Sequence, residues 1–224
     1  NHRVLAVLEV LIKGNGNIYE LNLEGVFLGP KQYRPRELYE TLKESALYDK
    51  ERGQWNWYMT KGQELKNTDR YSYEQLLGVW VEAQLNPQSA QRFYEDLKRT
   101  PLYDTESGQW GYRMNEKQEL ESSSRYANVE LFAVLMEAQF NLSAAKGRYE
   151  ALKETSLYDT KHGEWISCMN EEQESGDSNL YAALQLLGVL VEAQFNPDAA
   201  RGRYEALKET SLYDTKYGQW NQFI

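Results

Sequence analysis

Cysteine and histidine are scarce in this chain: Cys168 stands alone, and His2 and His162 are the two histidines among 224 residues. A single thiol excludes an intramolecular disulfide and a cysteine-rich metal site. Two histidines are too few for an ordinary histidine-based zinc centre, so neither a metal nor a cofactor is expected. No apolar run reaches the ~18 residues that a membrane helix needs, and no membrane partner is expected. Residues 1–13, NHRVLAVLEVLIK, hold an apolar run without the basic leader and small-residue cleavage site of a signal peptide. Basic residues are outnumbered, 25 Lys and Arg against 34 Asp and Glu, giving a net charge of −9. Without a basic face for phosphates, a nucleic-acid partner is excluded. A soluble protein of open compartment remains, with an unknown small molecule or another protein as partner. The sequence also lacks a P-loop, a dinucleotide-binding glycine fingerprint and a serine nucleophile elbow.

What the chain does contain is repetition. ALYDKERGQW at 46–55 returns as PLYDTESGQW at 101–110, SLYDTKHGEW at 156–165 and SLYDTKYGQW at 211–220. Asp49, Asp104, Asp159 and Asp214 are each 55 residues apart, as are Trp55, Trp110, Trp165 and Trp220. VEAQLNP at 81–87, MEAQFNL at 136–142 and VEAQFNP at 191–197 keep the same period. A period of this size marks an array in which each unit buries its apolar face on its neighbours. VLAVLEV at 4–10 aligns with LFAVLMEA at 131–138 and supplies the start of a first unit, with an insertion near 14–30 that reads as a small hairpin or irregular excursion. The reading is therefore one repeat domain over 1–224, with units at about 1–59, 60–114, 115–169 and 170–224.

Within a unit, SYEQLLGVWVEAQLN is apolar on nearly every side and predicts a buried inner helix. Ala6, Gly78, Ala133 and Gly188 share one column, where a small residue lets neighbouring helices approach. Asn86 and Pro87 then supply an N-cap and a first helical residue. The stripe of Ala90, Phe93, Tyr94 and Leu97 predicts an amphipathic outer helix. Asp104 and Gly108 bracket a tight turn, after which Trp110, Tyr112 and Met114 alternate, which predicts a short β-hairpin. The expected fold is all-α: tandem inner–outer helical hairpins with short β corners, as an α/α toroid or a curved array. A residue present in every unit serves what every unit shares, so the Asp column should cap the corner and the Trp column should fill the space between helical hairpins.

Helical hairpins with a D-x-x-x-G-x-W corner resemble the α/α-toroid proteins: the N-acylglucosamine 2-epimerases, the six-hairpin glycosidases and the terpenoid cyclases. The resemblance runs over the whole chain as a pattern and implies a fold more than a function. Those toroids close with five to seven hairpins in the family pattern, against four visible units here, and no DxDD acid motif of the cyclases occurs.

Candidate site residues are those that break the repeat or lie on the rim carrying the corners. Two residues beyond the Trp column stand Trp57, Tyr112, Ser167 and Gln222, of which Trp57 and Tyr112 either stack on a sugar ring or pack the rim. His162, where Arg52, Ser107 and Tyr217 stand in the other units, is either a general acid–base group or a solvated turn residue. Glu119, in a column with Glu64 and Glu174, either serves glycoside hydrolysis or bonds the loop backbone. Arg70 and Arg125, followed by Leu180, either hold an anion or pair with local carboxylates. Asn141 opens a glycosylation sequon, NLS, in a position that elsewhere caps a helix.

The uniformity of the units favours a non-enzymatic repeat scaffold that binds a ligand or partner. The alternative is a carbohydrate-active α/α-toroid enzyme, epimerase-like or glycoside hydrolase-like. Mismatched ends would expose apolar flanks, so ring closure or a homodimer is expected.

Overall fold

A computed structural model describes residues 35–56, 58–59, 65–169 and 181–221. The insertion near 14–30, Trp57, Glu64 and Glu174 lie outside the described residues. The chain divides into two compact units, one spanning Pro35–Ser178 and one holding Asn179–Ile224.

The described helices alternate in character along the chain: α1 (Pro35–Glu44), α2 (Ser72–Leu85), α3 (Pro87–Leu97), α4 (Ala127–Ala138), α5 (Leu142–Lys153), α6 (Ala182–Glu192) and α7 (Pro197–Lys208). Leu, Val and Ala dominate α2, α4 and α6, and from Val129 to Met136 every residue of α4 is buried. Asparagine punctuates the turns between paired helices. Asn86, Asn141 and Asn196 accept from the backbone N–H of Ser89, Ala144 and Ala199 at 3.1–3.2 Å, satisfying a donor the helix leaves free. Asn141 of the sequon is thus a helix cap. At the far ends, Thr100, Thr155 and Thr210 donate their hydroxyls to the last-turn carbonyls of Leu97, Leu152 and Leu207, all at 2.7 Å. No described helix is long and apolar enough to cross a membrane.

Each corner is a two-residue antiparallel ladder in which Tyr48, Tyr103, Tyr158 and Tyr213 pair with Trp55, Trp110, Trp165 and Trp220. Gly53, Gly108, Gly163 and Gly218 take φ of 66–73°, a backbone region that side chains resist, which is why glycine holds this position. Beyond Trp110 the chain does not continue the hairpin. Arg113–Met114 instead pairs with both Arg70–Tyr71 and Leu120–Ser122 in a three-stranded sheet. Arg125–Tyr126 pairs likewise with Cys168–Met169.

The recurring tryptophans are each flanked by two tyrosines and a lysine. In the second corner Trp110 lies 5.8 Å from the ring of Tyr94 and 5.0 Å from that of Tyr103, and the Lys98 ammonium sits over both tyrosines at 5.5 and 5.3 Å. Tyr39, Tyr48 and Lys43 repeat this around Trp55, Tyr149, Tyr158 and Lys153 around Trp165, and Tyr204, Tyr213 and Lys208 around Trp220. The lysine stem covers the rings while its charge meets their faces.

Within Pro35–Ser178 the tryptophan of one corner docks on the following inner helix. The backbone N–H of Trp55 donates to Gln75 Oε1 at 2.9 Å, and Gln75 Nε2 donates to the Trp55 carbonyl at 2.6 Å. A β-carbon on Gly78 would fall 2.1 Å from Trp55 Nε1, so the glycine makes room for the indole. At the next corner Trp110 N–H donates to Glu130 Oε1 at 2.6 Å, and Glu130 also accepts from Arg148 Nη2 at 2.9 Å. Tyr73 and Trp80 of α2 meet Phe132 of α4 at ring distances of 5.4 and 6.4 Å. Within Asn179–Ile224, Ala182, Leu207 and Leu212 form a buried apolar cluster, with Val189 and Trp220 packed against it.

Candidate functional site

The aspartates of the corner motif organise the first group of candidate residues. Asp49 Oδ1 accepts from the N–H groups of Glu51 and Arg52, and Asp104, Asp159 and Asp214 repeat this turn. The second oxygen is given to a variable partner. Asp49 Oδ2 meets Arg52 Nη1 at 3.0 Å and buried Arg70 Nη2 at 2.7 Å. Asp104 Oδ2 meets the Ser107 hydroxyl at 2.6 Å and Arg125 Nη2 at 3.3 Å. Asp159 Oδ2 meets Nδ1 of exposed His162 at 2.6 Å. Arg70, Arg125 and His162 are thus engaged with the corner carboxylates, in three separate corners. Asp49, Arg52, Thr68, Arg70 and Lys117 line a shallow groove of about 550 Å³.

Burial works to raise the Asp49 pKa, but hydrogen bonds from Arg52 and the charge of Arg70 outweigh it and hold the carboxyl below the usual range. A depressed carboxylate stabilises the fold above its ordinary pKa, and the contribution disappears as the pH falls through the depressed one. Asp49→Asn should therefore cost about 1–3 kcal/mol at pH 7. In urea titrations at falling pH the gap between variant and wild type should close below the ordinary carboxylate range.

Glu119 is exposed in the turn of residues 115–119, where Asn115 Oδ1 accepts from its N–H at 3.0 Å and Asn115 Nδ2 donates to its carboxylate at 3.0 Å. Neighbouring Gln118 has φ 64° and exchanges long side-chain hydrogen bonds with Gln54.

Tyr112 stands in a different setting, at the N-terminal ends of α2 and α4. Its ring lies 5.2 Å from Tyr71, edge-on, and 4.5 Å from Tyr126. Tyr71 and Tyr126 are the residues that immediately precede α2 and α4. The loop is tied there by backbone: Ser72 N–H donates to the Tyr112 carbonyl at 3.1 Å, and the Ser72 hydroxyl donates to the Gly111 carbonyl at 2.6 Å. Arg113 lies 5.9 Å over the Tyr71 ring and joins Asp69 at 3.5 Å and Glu121 at 3.0 Å. Tyr112 and Tyr126, half-buried beside buried Tyr71 and edged by a guanidinium and two carboxylates, can pack against a pyranose face and bond its hydroxyls.

The residue that the sequence reading passed over is Glu74, in the first turn of α2. Its column holds Val129 and Leu184 in the later units, so it breaks the repeat once. The signal was available, but an acidic residue in a first helical turn reads as a partner of the helix dipole. In the structure the residue keeps partial exposure while its Oε2 is enclosed and has no hydrogen-bond partner. Burial pushes the carboxyl up to about 7, opposed only by its own backbone N–H.

No family model and no curated protein sequence matches the chain. Solved structures do. The chain is similar to a sugar epimerase from a ruminal bacterium (16% identity, TM-score 0.59, 85% of this chain and 58% of that one). It is also similar to cellobiose 2-epimerase from Bacillus thermoamylovorans (14%, TM-score 0.61, 81% and 57%). A third similar structure is a family 8 glycosyl hydrolase, an endoglucanase, from Klebsiella pneumoniae (14%, TM-score 0.55, 79% and 60%). The likeness is one of fold, and it is the fold of the α/α-toroid enzymes. The chain spans less than two thirds of the length of these proteins.

This overturns the expectation of a non-enzymatic scaffold. The neighbours, a D-mannose isomerase and an α-amylase among them, are carbohydrate-active enzymes. Uniform corners are no argument against an enzyme, because the corner residues are consumed in holding helices together.

Proposed function

We propose that this chain forms part of a carbohydrate-active enzyme, epimerase-like or glycoside hydrolase-like, whose four 55-residue units are helical hairpins of an α/α toroid. The observation that carries this reading is the fold likeness to sugar epimerases and a glycosyl hydrolase. The tyrosine row at the N-terminal ends of α2 and α4 supports it from within the chain; in this reading the sugar lies against Tyr112, Tyr71 and Tyr126, with Trp57 close by in sequence to the first corner. Arg113, Asp69 and Glu121 supply hydroxyl-bonding groups beside that row.

The test is thermal unfolding against a panel of mono- and oligosaccharides, paired with assays for epimer formation and reducing-end release. A sugar bound only by the folded chain stabilises it by about 2.7 kcal/mol at a hundredfold excess over Kd, and Tyr112→Ala should shrink that shift. A panel that moves no midpoint and yields no product would sink the reading.

A further inference from the structure

We propose that Glu74 is the proton donor of a site that cleaves a glycosidic bond in a neutral oligosaccharide at the N-terminal end of α2; this deepens the carbohydrate reading above and rests on it. Three observations meet at this residue. It occurs once where Val129 and Leu184 fill the same column, so it serves something the other units do not. Its Oε2 is enclosed with no partner, although a buried polar atom is costly to leave unbonded. It also follows by three residues Tyr71, a member of the tyrosine row proposed above as the sugar platform.

Its place on the helix is informative. Gln75, Gly78 and Glu82 face the preceding corner and α1, through Trp55 and Lys43. Tyr73 and Trp80 face α4, through Phe132. At 100° per residue, Glu74 falls with Leu77 and Val81 on neither of these faces, and all three keep partial exposure. A purely structural acid would sit where a partner could reach it, as Glu130 does with Arg148.

The charged groups of the elements that adjoin α2 are committed to one another. Arg70 is held by Asp49, Lys43 pairs with Glu82, Arg113 pairs with Asp69 and Glu121, and Glu130 is held by Arg148. Tyr73, its neighbour in sequence, feels its charge, and no described cation or second carboxylate acts on it. An anionic substrate would meet no free cation among these residues, so the substrate is a neutral glycan. A carboxyl pushed up to about 7 keeps its proton through the mildly acidic range, the form acetal cleavage needs, whereas abstraction of a C–H proton for epimerisation needs the base.

In the step, the Glu74 proton passes to the glycosidic oxygen as the C1–O bond breaks, and that bond's electron pair stays with the leaving oxygen. Water adds its hydroxyl to C1, and its remaining proton restores the Glu74 carboxyl. Atoms and charge balance with water as the only co-reactant.

The experiment uses the full chain with β-1,4- and α-1,4-linked gluco-oligosaccharides. Wild-type hydrolysis should fall on the alkaline side of a pKa near 7. Glu74→Gln should lose about 10²–10⁴-fold in kcat while binding the same oligosaccharide within a few-fold. A raised carboxyl pKa stabilises the fold at low pH and ceases to do so as the pH rises through it. The wild-type midpoint should therefore decline between pH 5 and 8 relative to Glu74→Gln. Glu74→Leu, which installs the residue of the fourth unit, should fold with a raised midpoint and be inactive. A Glu74→Gln rate within tenfold of wild type, or a wild-type profile without the limb near pH 7, overturns the assignment and leaves the carbohydrate reading standing. Epimer formation without hydrolysis overturns the bond-cleaving step alone. A wild type that binds and converts no sugar overturns both.

Discussion

Arg148→Ala should destabilise the chain by about 3–5 kcal/mol, the cost of leaving a buried charge unpaired. Glu130 is wholly buried in α4, and its two acceptor oxygens are divided between the Trp110 backbone N–H and the Arg148 guanidinium. Burial pushes the Glu130 carboxyl up, against the pull of Arg148 and of the Trp110 N–H. Burial also works against the charge on Arg148, but the nearby Glu130 carboxylate overcomes it and holds the guanidinium charged. Without Arg148, the fold can keep Glu130 buried only by protonating it. The variant should then lose stability progressively as the pH rises above the ordinary carboxylate range, a dependence that urea titration at several pH values will reveal. The other units supply the repair, because Gln75 and Phe93 occupy these two columns in the preceding unit, and Gln75 accepts the same backbone hydrogen bond from Trp55. The double variant Glu130→Gln, Arg148→Phe should recover most of the loss. A double variant no more stable than Arg148→Ala would show that the pair does more than replace a glutamine and an apolar contact.

Trp110→Ala should cost about 3–5 kcal/mol, as large-to-small changes of buried aromatics do. Its side chain is fully buried between Tyr94 and Tyr103, and its backbone is fixed to Glu130. The same change at Trp220 should cost clearly less, since that indole keeps partial exposure against Tyr204 and Tyr213. Chemical denaturation of the two variants compares identical motifs in different surroundings. Equal losses would mean that the corner alone sets the energy, with no contribution from the helix onto which Trp110 docks.

Much of the local structure was legible before any coordinates. The Asn-Pro turns, the glycine at each corner and the apolar inner helices follow from caps, backbone freedom and periodicity, which act over a few residues. The carbohydrate reading was present only as the weaker alternative. Repetition hides function: four matching copies of a corner speak of folding, and the eye follows the copies. The lysine clasped by two tyrosines at each tryptophan was invisible for another reason, since its members lie on a helix and on both strands of a corner and meet only after the chain turns back.

By itself, the sequence determined the period, the helix–turn–helix–corner order and the residues that each corner needs, because these depend on neighbours along the chain. Tertiary structure alone decided that Arg70, Arg125 and His162 are taken by the corner aspartates, that Tyr71, Tyr112 and Tyr126 form one row, and that Glu74 has an enclosed, unpartnered oxygen. Whether a carboxylate is a surface charge or a proton donor depends on desolvation and on which partners reach it. Both are set by packing between segments far apart in the chain.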